Sequence, residues 1–147
     1  MKPLELLKQG TVIPAHPLAL NAQRKLDERR QRALSRYYID AGSGGLAVGV
    51  HSTQFAIRET GLYEPVLRIA MEEAGAWSKR PLAMIAGLSG KTQQALREAA
   101  IARSLGYTAC MLSLAPMAGA SVDEMVEHCA AVAREVPLVG FYLQEAV

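Results

Sequence analysis

Short apolar runs alternate with longer stretches of helical period along the whole chain. The runs at 11–15, 45–50, 82–87, 109–114 and 138–143 are almost uniformly apolar. A strand wetted on one face alternates apolar and polar residues, whereas one covered on both faces has no such need. These runs therefore predict five buried strands of a parallel sheet. Between them lie four predicted helices. The first spans 26–41, with Leu26, Leu34, Tyr37, Tyr38 and Ala41 as its apolar stripe and Gly42 placed to close it in a left-handed conformation. The second spans 62–74, where Pro65 is tolerable only near the first turn and Gly75 reads as the stop. The third spans 92–105 and ends at Gly106. The fourth opens on Ser121 with Glu124 three residues later, a capping box that satisfies two otherwise orphaned N–H groups. Met125, Cys129, Val132 and Val136 then recur at helical spacing and lay one stripe on the sheet.

Successive strand markers (Val12, Leu46, Leu82, Met111, Val139) lie 28–36 residues apart, the length a helical return between parallel strands needs. The class is α/β. Two architectures fit the pattern: a five-stranded doubly wound sheet lacking its last helix, and part of a (β/α)8 TIM barrel carrying about four βα units plus the fifth strand. The last apolar run lies at the end of the sequence with no helix to cover it, which favours the barrel. The expectation is a truncated sequence, with residues 1–147 forming the amino-terminal half of a single barrel domain.

Composition narrows the partners. Sixteen Lys and Arg against fourteen Asp and Glu leave a net charge of +2, which offers no dense field to a nucleic acid or an anionic membrane. Arg29, Arg30, Arg32 and Arg36 cluster, but Asp27, Glu28 and Asp40 interleave them, so they read as a solvated helix face. Cys110 and Cys129 form neither a disulfide framework nor a metal clip and fit a reducing compartment. With no signal-peptide pattern at the amino terminus, the expected location is the cytoplasm.

Four segments carry candidate chemistry, each with a plain structural alternative. Gly87-Leu88-Ser89-Gly90-Lys91-Thr92 sits between a strand and a helix, as a phosphate loop does. The position where that loop needs its first glycine is Ile85, so the turn is too short to wrap a triphosphate. In the run from Gly49 to Phe55, polar residues His51, Ser52 and Thr53 begin where a strand ends. Their hydroxyls and N–H groups can grip a carboxylate there, or only make a local Ser/Thr turn. His16, between Pro14 and Pro17, reads as a satisfied structural histidine, and His128 is placed on the polar flank of its helix, in solvent. Phe141 and Tyr142 face opposite ways in their strand, so one of them points into a barrel. A phenol there can act as a general acid or base, or simply bond within the core. The histidines and carboxylates show no metal-ligand spacing, and no cofactor is expected.

Several of these segments converge. The stretch Gly44-Gly45-Leu46-Ala47-Val48-Gly49-Val50-His51-Ser52-Thr53-Gln54-Phe55-Ala56 resembles the second-strand motif of the dihydrodipicolinate synthase / N-acetylneuraminate lyase family. Met84-Ile85-Ala86-Gly87 and residues 92–95 resemble its third strand and following helix start, residues 121–125 its fourth-helix opening, and Val139-Gly140-Phe141-Tyr142 its fifth strand. The match runs in order from 11 to 147.

The resemblance implies a (β/α)8 barrel that assembles as a homo-oligomer, dimer or tetramer. It also implies a lysine that forms a Schiff base with a small 2-oxo acid, whose iminium then serves as an electron sink for carbon–carbon cleavage or formation. A Thr-Thr pair after the second strand, which in this chain reads His51 and Ser52, binds the carboxylate, with Thr53 beside them. Tyr142 falls on the family's proton-transferring tyrosine, and Ser52 keeps the hydroxyl that relays a proton. The family's further tyrosine, after the fourth strand, is replaced by Pro116 or Met117. None of Lys2, Lys8, Lys25, Lys79 or Lys91 falls at a sixth-strand position, so the chain alone is expected to be inactive. Two further readings stand beside this one: a non-catalytic relative that binds a metabolite or only assembles, and a small kinase built on the Gly90-Lys91-Thr92 turn.

Overall fold

In the computed structural model, which describes residues 2–141, four parallel strands hydrogen-bond in the order in which they occur in the sequence: β1 (Ala47–Val48), β2 (Ile85–Leu88), β3 (Ala109–Leu112) and β4 (Leu138–Val139). Pairing runs Ala47 with Ile85, Ile85 with Ala109, and Cys110 with Leu138. A doubly wound sheet must reverse its strand order at a switch point, so this unreversed order excludes that architecture and fits the wall of a barrel. The expected first strand runs alongside β1 but is reduced to one bridge, Ala15 to Ala47. Gly44 donates to the Val12 carbonyl and Ala47 to that of Pro14, while His16 donates to the Ala47 carbonyl. Pro14 itself has no N–H to give, which interrupts the ladder. The fifth predicted strand is described only as far as Phe141, and Tyr142 lies outside the described residues.

Five α-helices accompany the sheet: α1 (Pro3–Gln9), α2 (Glu28–Asp40), α3 (Tyr63–Trp77), α4 (Thr92–Leu105) and α5 (Val122–Ala133). From α2 to α5, each helix packs on the next in an unbroken layer. Strand residues alternate between two clusters. Val48, Ala86 and Cys110 face the helices and join the main core, whereas Ala47, Ile85 and Ala109 line the inner face with Met111 and Val139. Ala95, Ala99 and Ala102 are fully buried on α4 and bring that helix close to the sheet. The Ser121–Glu124 capping box forms as the sequence predicts. The short helix α1 was not anticipated from the pattern. The Lys2 backbone N–H donates to the Glu5 carboxylate at 2.9 Å, Pro3 opens the helix, and Leu7 packs on the inner cluster.

Three expectations are corrected. The fully buried face of α2 is Gln31, Ser35 and Ile39; of the predicted stripe, Leu26 and Tyr38 pack against the core only partly buried, and Tyr37 is largely exposed. The polar pair is buried because it surrounds fully buried His16. Its Nε2 lies 2.8 Å from Ser35 Oγ, its Nδ1 lies 3.0 Å from Gln31 Nε2, and Gln31 donates to the Pro17 carbonyl. Helix α3 continues through Gly75 to Trp77. The basic cluster also divides. Arg32 and Arg36 cross to α3 and hold Glu73, with Arg36 Nε 2.6 Å from its carboxylate, while Arg30 pairs with Asp27 at the surface.

Burial holds the His16 imidazole below its ordinary value, an effect only partly offset by the Pro17 carbonyl; burial lowers His128 in the same direction. The unfolded chain therefore binds more protons than the folded one once pH drops toward about 6.5, and stability falls with acidification. The urea midpoint is expected to decline from pH 7 toward pH 5, with a shallower decline in His16→Gln. Glu73, whose carboxyl Arg36 first, with Arg32, holds below the ordinary value, adds its own loss mainly below about pH 5, where the unfolded carboxyl takes up protons first. Equal slopes in the two proteins would exclude His16 as a source.

Candidate active site

The chain leaves β1 by an abrupt change of direction. Gly49 has φ +74°, two 3₁₀ turns follow at His51–Thr53 and Phe55–Arg58, and Gln54 between them also has a positive φ of 73°. Thr53 fixes the first turn from within. Its buried hydroxyl donates to the His16 carbonyl at 2.6 Å and accepts from the Gly49 N–H at 3.0 Å, while its own N–H donates to Val50 O. Thr53 is thus committed to the protein on every side and does not line the adjacent cavity. His51 and Ser52 stand exposed at the cavity rim, and the His51 ring meets Phe55 edge-on at 5.8 Å.

The cavity holds about 350 Å³ and lies over the inner face at the carboxyl ends of the strands. Its walls are mostly apolar, with Val50, Phe55, Leu88 and Met111 among them; the polar side chains that line it are His51, Ser52 and Ser113. Phe141 also lines it and is 52% exposed. Of the strand-five pair, Phe141 is therefore the described residue that meets the cavity. None of the described lining residues is a lysine.

Behind the turn lies a buried ion pair. Arg58 and Glu98, with side chains only 9% and 8% exposed, meet through Nε at 2.8 Å and Nη2 at 3.0 Å. Glu98 also accepts from the Ser89 N–H and from Gln94. Sequence reasoning missed this pair because its members are 40 positions apart. The one signal available was a charged residue in each of two segments that otherwise bury their faces.

The remaining candidates are structural. The Gly90-Lys91-Thr92 turn is an ordinary strand-to-helix connection, with Gln94 against Gly90 and the Thr92 hydroxyl 2.9 Å from His128 Nδ1. His128 is 2% exposed rather than solvated, because α5 turns it toward the start of α4. Burial pushes the Cys110 thiol up to about 12, which makes it a poor nucleophile. Among the described residues no group of three or more His, Cys, Asp and Glu is placed to hold a metal, and no helix is long and apolar enough to cross a membrane.

Comparison with known proteins agrees with this geometry. The model of the dihydrodipicolinate synthetase family matches residues 8–140, which stops short of Tyr142. No curated protein matches the sequence. N-acetylneuraminate lyase from Fusobacterium nucleatum superimposes with a TM-score of 0.75 at 21% identity, over 92% of this chain and 50% of that one. Dihydrodipicolinate synthase from Rhodopseudomonas palustris gives 0.75 at 16% identity, over 94% and 44%. CdNal from Clostridium difficile, solved in complex with mannosamine, gives 0.76 at 20% identity, over 86% and 43%. The chain spans about half the length of these solved relatives, and the likeness establishes the TIM-barrel fold. On the family match, together with four parallel strands in barrel order, the chain belongs to the dihydrodipicolinate synthetase family.

Proposed function

We propose that the cavity at the strand ends is the amino-terminal half of a Schiff-base aldolase or lyase site for a small 2-oxo acid. The observation that carries this reading is the His51–Ser52 turn, two exposed residues at the rim of an apolar cavity, within the span matched to the family. A substrate carboxylate is bound by donors at that turn, and the Ser52 hydroxyl passes a proton. His51 offers an imidazole where the family has a hydroxyl, so it bonds the carboxylate through a ring N–H.

The described cavity lining holds no lysine, so the amine comes from outside the described residues. It adds to the ketone carbon, water leaves, and the resulting iminium accepts the electron pair of the breaking carbon–carbon bond. We assign proton transfer at carbon to Tyr142. Its neighbour Phe141 lines the cavity. The whole protein is further proposed to be a dimer or tetramer, located in the cytoplasm, where its two free thiols stay reduced.

The test treats the full natural protein with a panel of 2-oxo acids and borohydride. The expected product is a covalent adduct heavier than the protein by the oxo acid less one oxygen, and Tyr142→Phe should trap the adduct while losing turnover. Absence of an adduct across the panel would overturn the reaction. His51 in place of a hydroxyl residue, and Pro116 or Met117 in place of the family's further tyrosine, favour a second reading, a metabolite-binding relative without turnover. A 2-oxo acid that raises the melting temperature and leaves no adduct would select it.

A further inference from the structure

We infer that Arg58 is a positioning residue of this site: its guanidinium spans the carbonyl ends of β1 and β2 and so holds the turn that presents His51 and Ser52. The inference rests on the reading of that turn as the carboxylate-binding element.

The β1–β2 pairing ends at Val48 and Ala86, because Gly49 then leaves the extended conformation. Beyond that point the two backbones still touch. A Cβ on Gly87 would lie 2.4 Å from the Gly49 carbonyl oxygen. Two buried carbonyls are thereby left without a strand partner, and such groups need a donor. Arg58 supplies it. Nη1 and Nη2 donate to Gly49 O at 3.2 Å each, and Nη2 donates to Gly87 O at 3.0 Å. Tyr63 adds its hydroxyl to Gly87 O at 2.8 Å.

The guanidinium is itself tightly held. Glu98 takes two of its N–H groups, and its Cζ lies over the rings of Tyr63 at 4.6 Å and Phe55 at 5.3 Å from the ring centres. Phe55 lines the cavity and contacts the His51 ring. One planar group therefore connects the two strand ends, the cavity wall and the residue proposed to meet the carboxylate. Lysine, a point donor, cannot reproduce that fork.

A buried ion pair also bears on folding, so the experiment separates the two roles. Arg58→Met is compared with the double variant Arg58→Met/Glu98→Leu, which removes both buried charges and should recover the stability lost to the uncompensated carboxylate, while the two carbonyls and the Ser89 N–H stay without their partners. Two readouts are taken on the labelled full natural protein: exchange of the hydrogen-bonded Gly49 and Thr53 amides, and shifts of the His51 and Ser52 amides on titration with pyruvate. In the double variant the melting temperature should return toward that of the native chain. Exchange at Gly49 and Thr53 should stay faster by about tenfold, and pyruvate should bind more weakly by about tenfold. Arg58→Lys should recover either readout only in part.

Native exchange and native pyruvate affinity in the stable double variant would show that the pair serves folding alone and overturn the inference. Faster exchange spread evenly over the chain would do the same. If pyruvate leaves the His51 and Ser52 amides of the unmodified chain unmoved, the carboxylate reading itself has failed and the positioning role falls with it. That result is distinct from a native response to pyruvate that Arg58 does not affect.

Discussion

Glu98→Ala is expected to lower stability by about 3–5 kcal/mol, the cost of leaving one member of a buried ion pair uncompensated. Glu98 does more than neutralise Arg58. It accepts both guanidinium contacts, the Ser89 N–H at 2.9 Å and the Gln94 amide at 3.0 Å, so its removal orphans a buried cation and a buried backbone donor together. Domains are stable by only about 5–15 kcal/mol, so the variant should stand near its unfolding threshold. The control is Glu135→Ala, which breaks the surface pair with Arg103, whose side chains are 59% and 43% exposed. That change should cost at most about 1 kcal/mol. Urea denaturation of both variants measures the contrast. Equal losses would mean that solvent reaches Arg58 and that the pair is not the anchor described above.

Gly45→Ala is expected to cost about 3 kcal/mol or more, at the upper end of what overpacking does. An added Cβ would fall 1.8 Å from the Ala83 carbonyl oxygen and 2.6 Å from its carbon. Both are backbone atoms, held beside Gly45 by the bond from the Ala83 N–H to Gly44 O, so no rotamer change relieves the clash. The sheet would have to open where β1 and β2 begin to pair. The same substitution at Gly75 should act in the opposite direction. Gly75 sits inside α3 with open space around the Cβ position, and alanine there should add about 0.5–1 kcal/mol by restricting the unfolded chain. Thermal melts of the two variants should therefore move apart from the unsubstituted chain, and a stable Gly45→Ala would show that the approach of Gly45 to Ala83 is looser than described.

Features set by near neighbours in sequence were legible. The span of α4 and the Ser121–Glu124 box depend on residues within one helical turn, and both appear as expected. The sheet class was legible because burial on two faces leaves an unbroken apolar run. Features set by distant partners were not. Gln31 and Ser35 look like solvent-facing residues until His16 is seen between them. His128 looks polar because its helix face is judged without α4. The run at 11–15 reads as a full strand until Pro14 interrupts its ladder and leaves one bridge, and Gly75 reads as a stop only if α3 lacks the packing that carries it to Trp77. At the site, the turn bearing His51 and Ser52 was found from the change in polarity after a strand. The Arg58–Glu98 pair and the commitment of Thr53 to His16 are tertiary contacts that no local pattern encodes.

The unreversed strand order also bears on how the chain comes to be folded. Each strand docks against the one synthesised just before it, across a single helical return. Among the described residues, no strand inserts between two that precede it. Growth can therefore proceed from the ribosome in step with translation, each new unit using the last as a template and covering its open side.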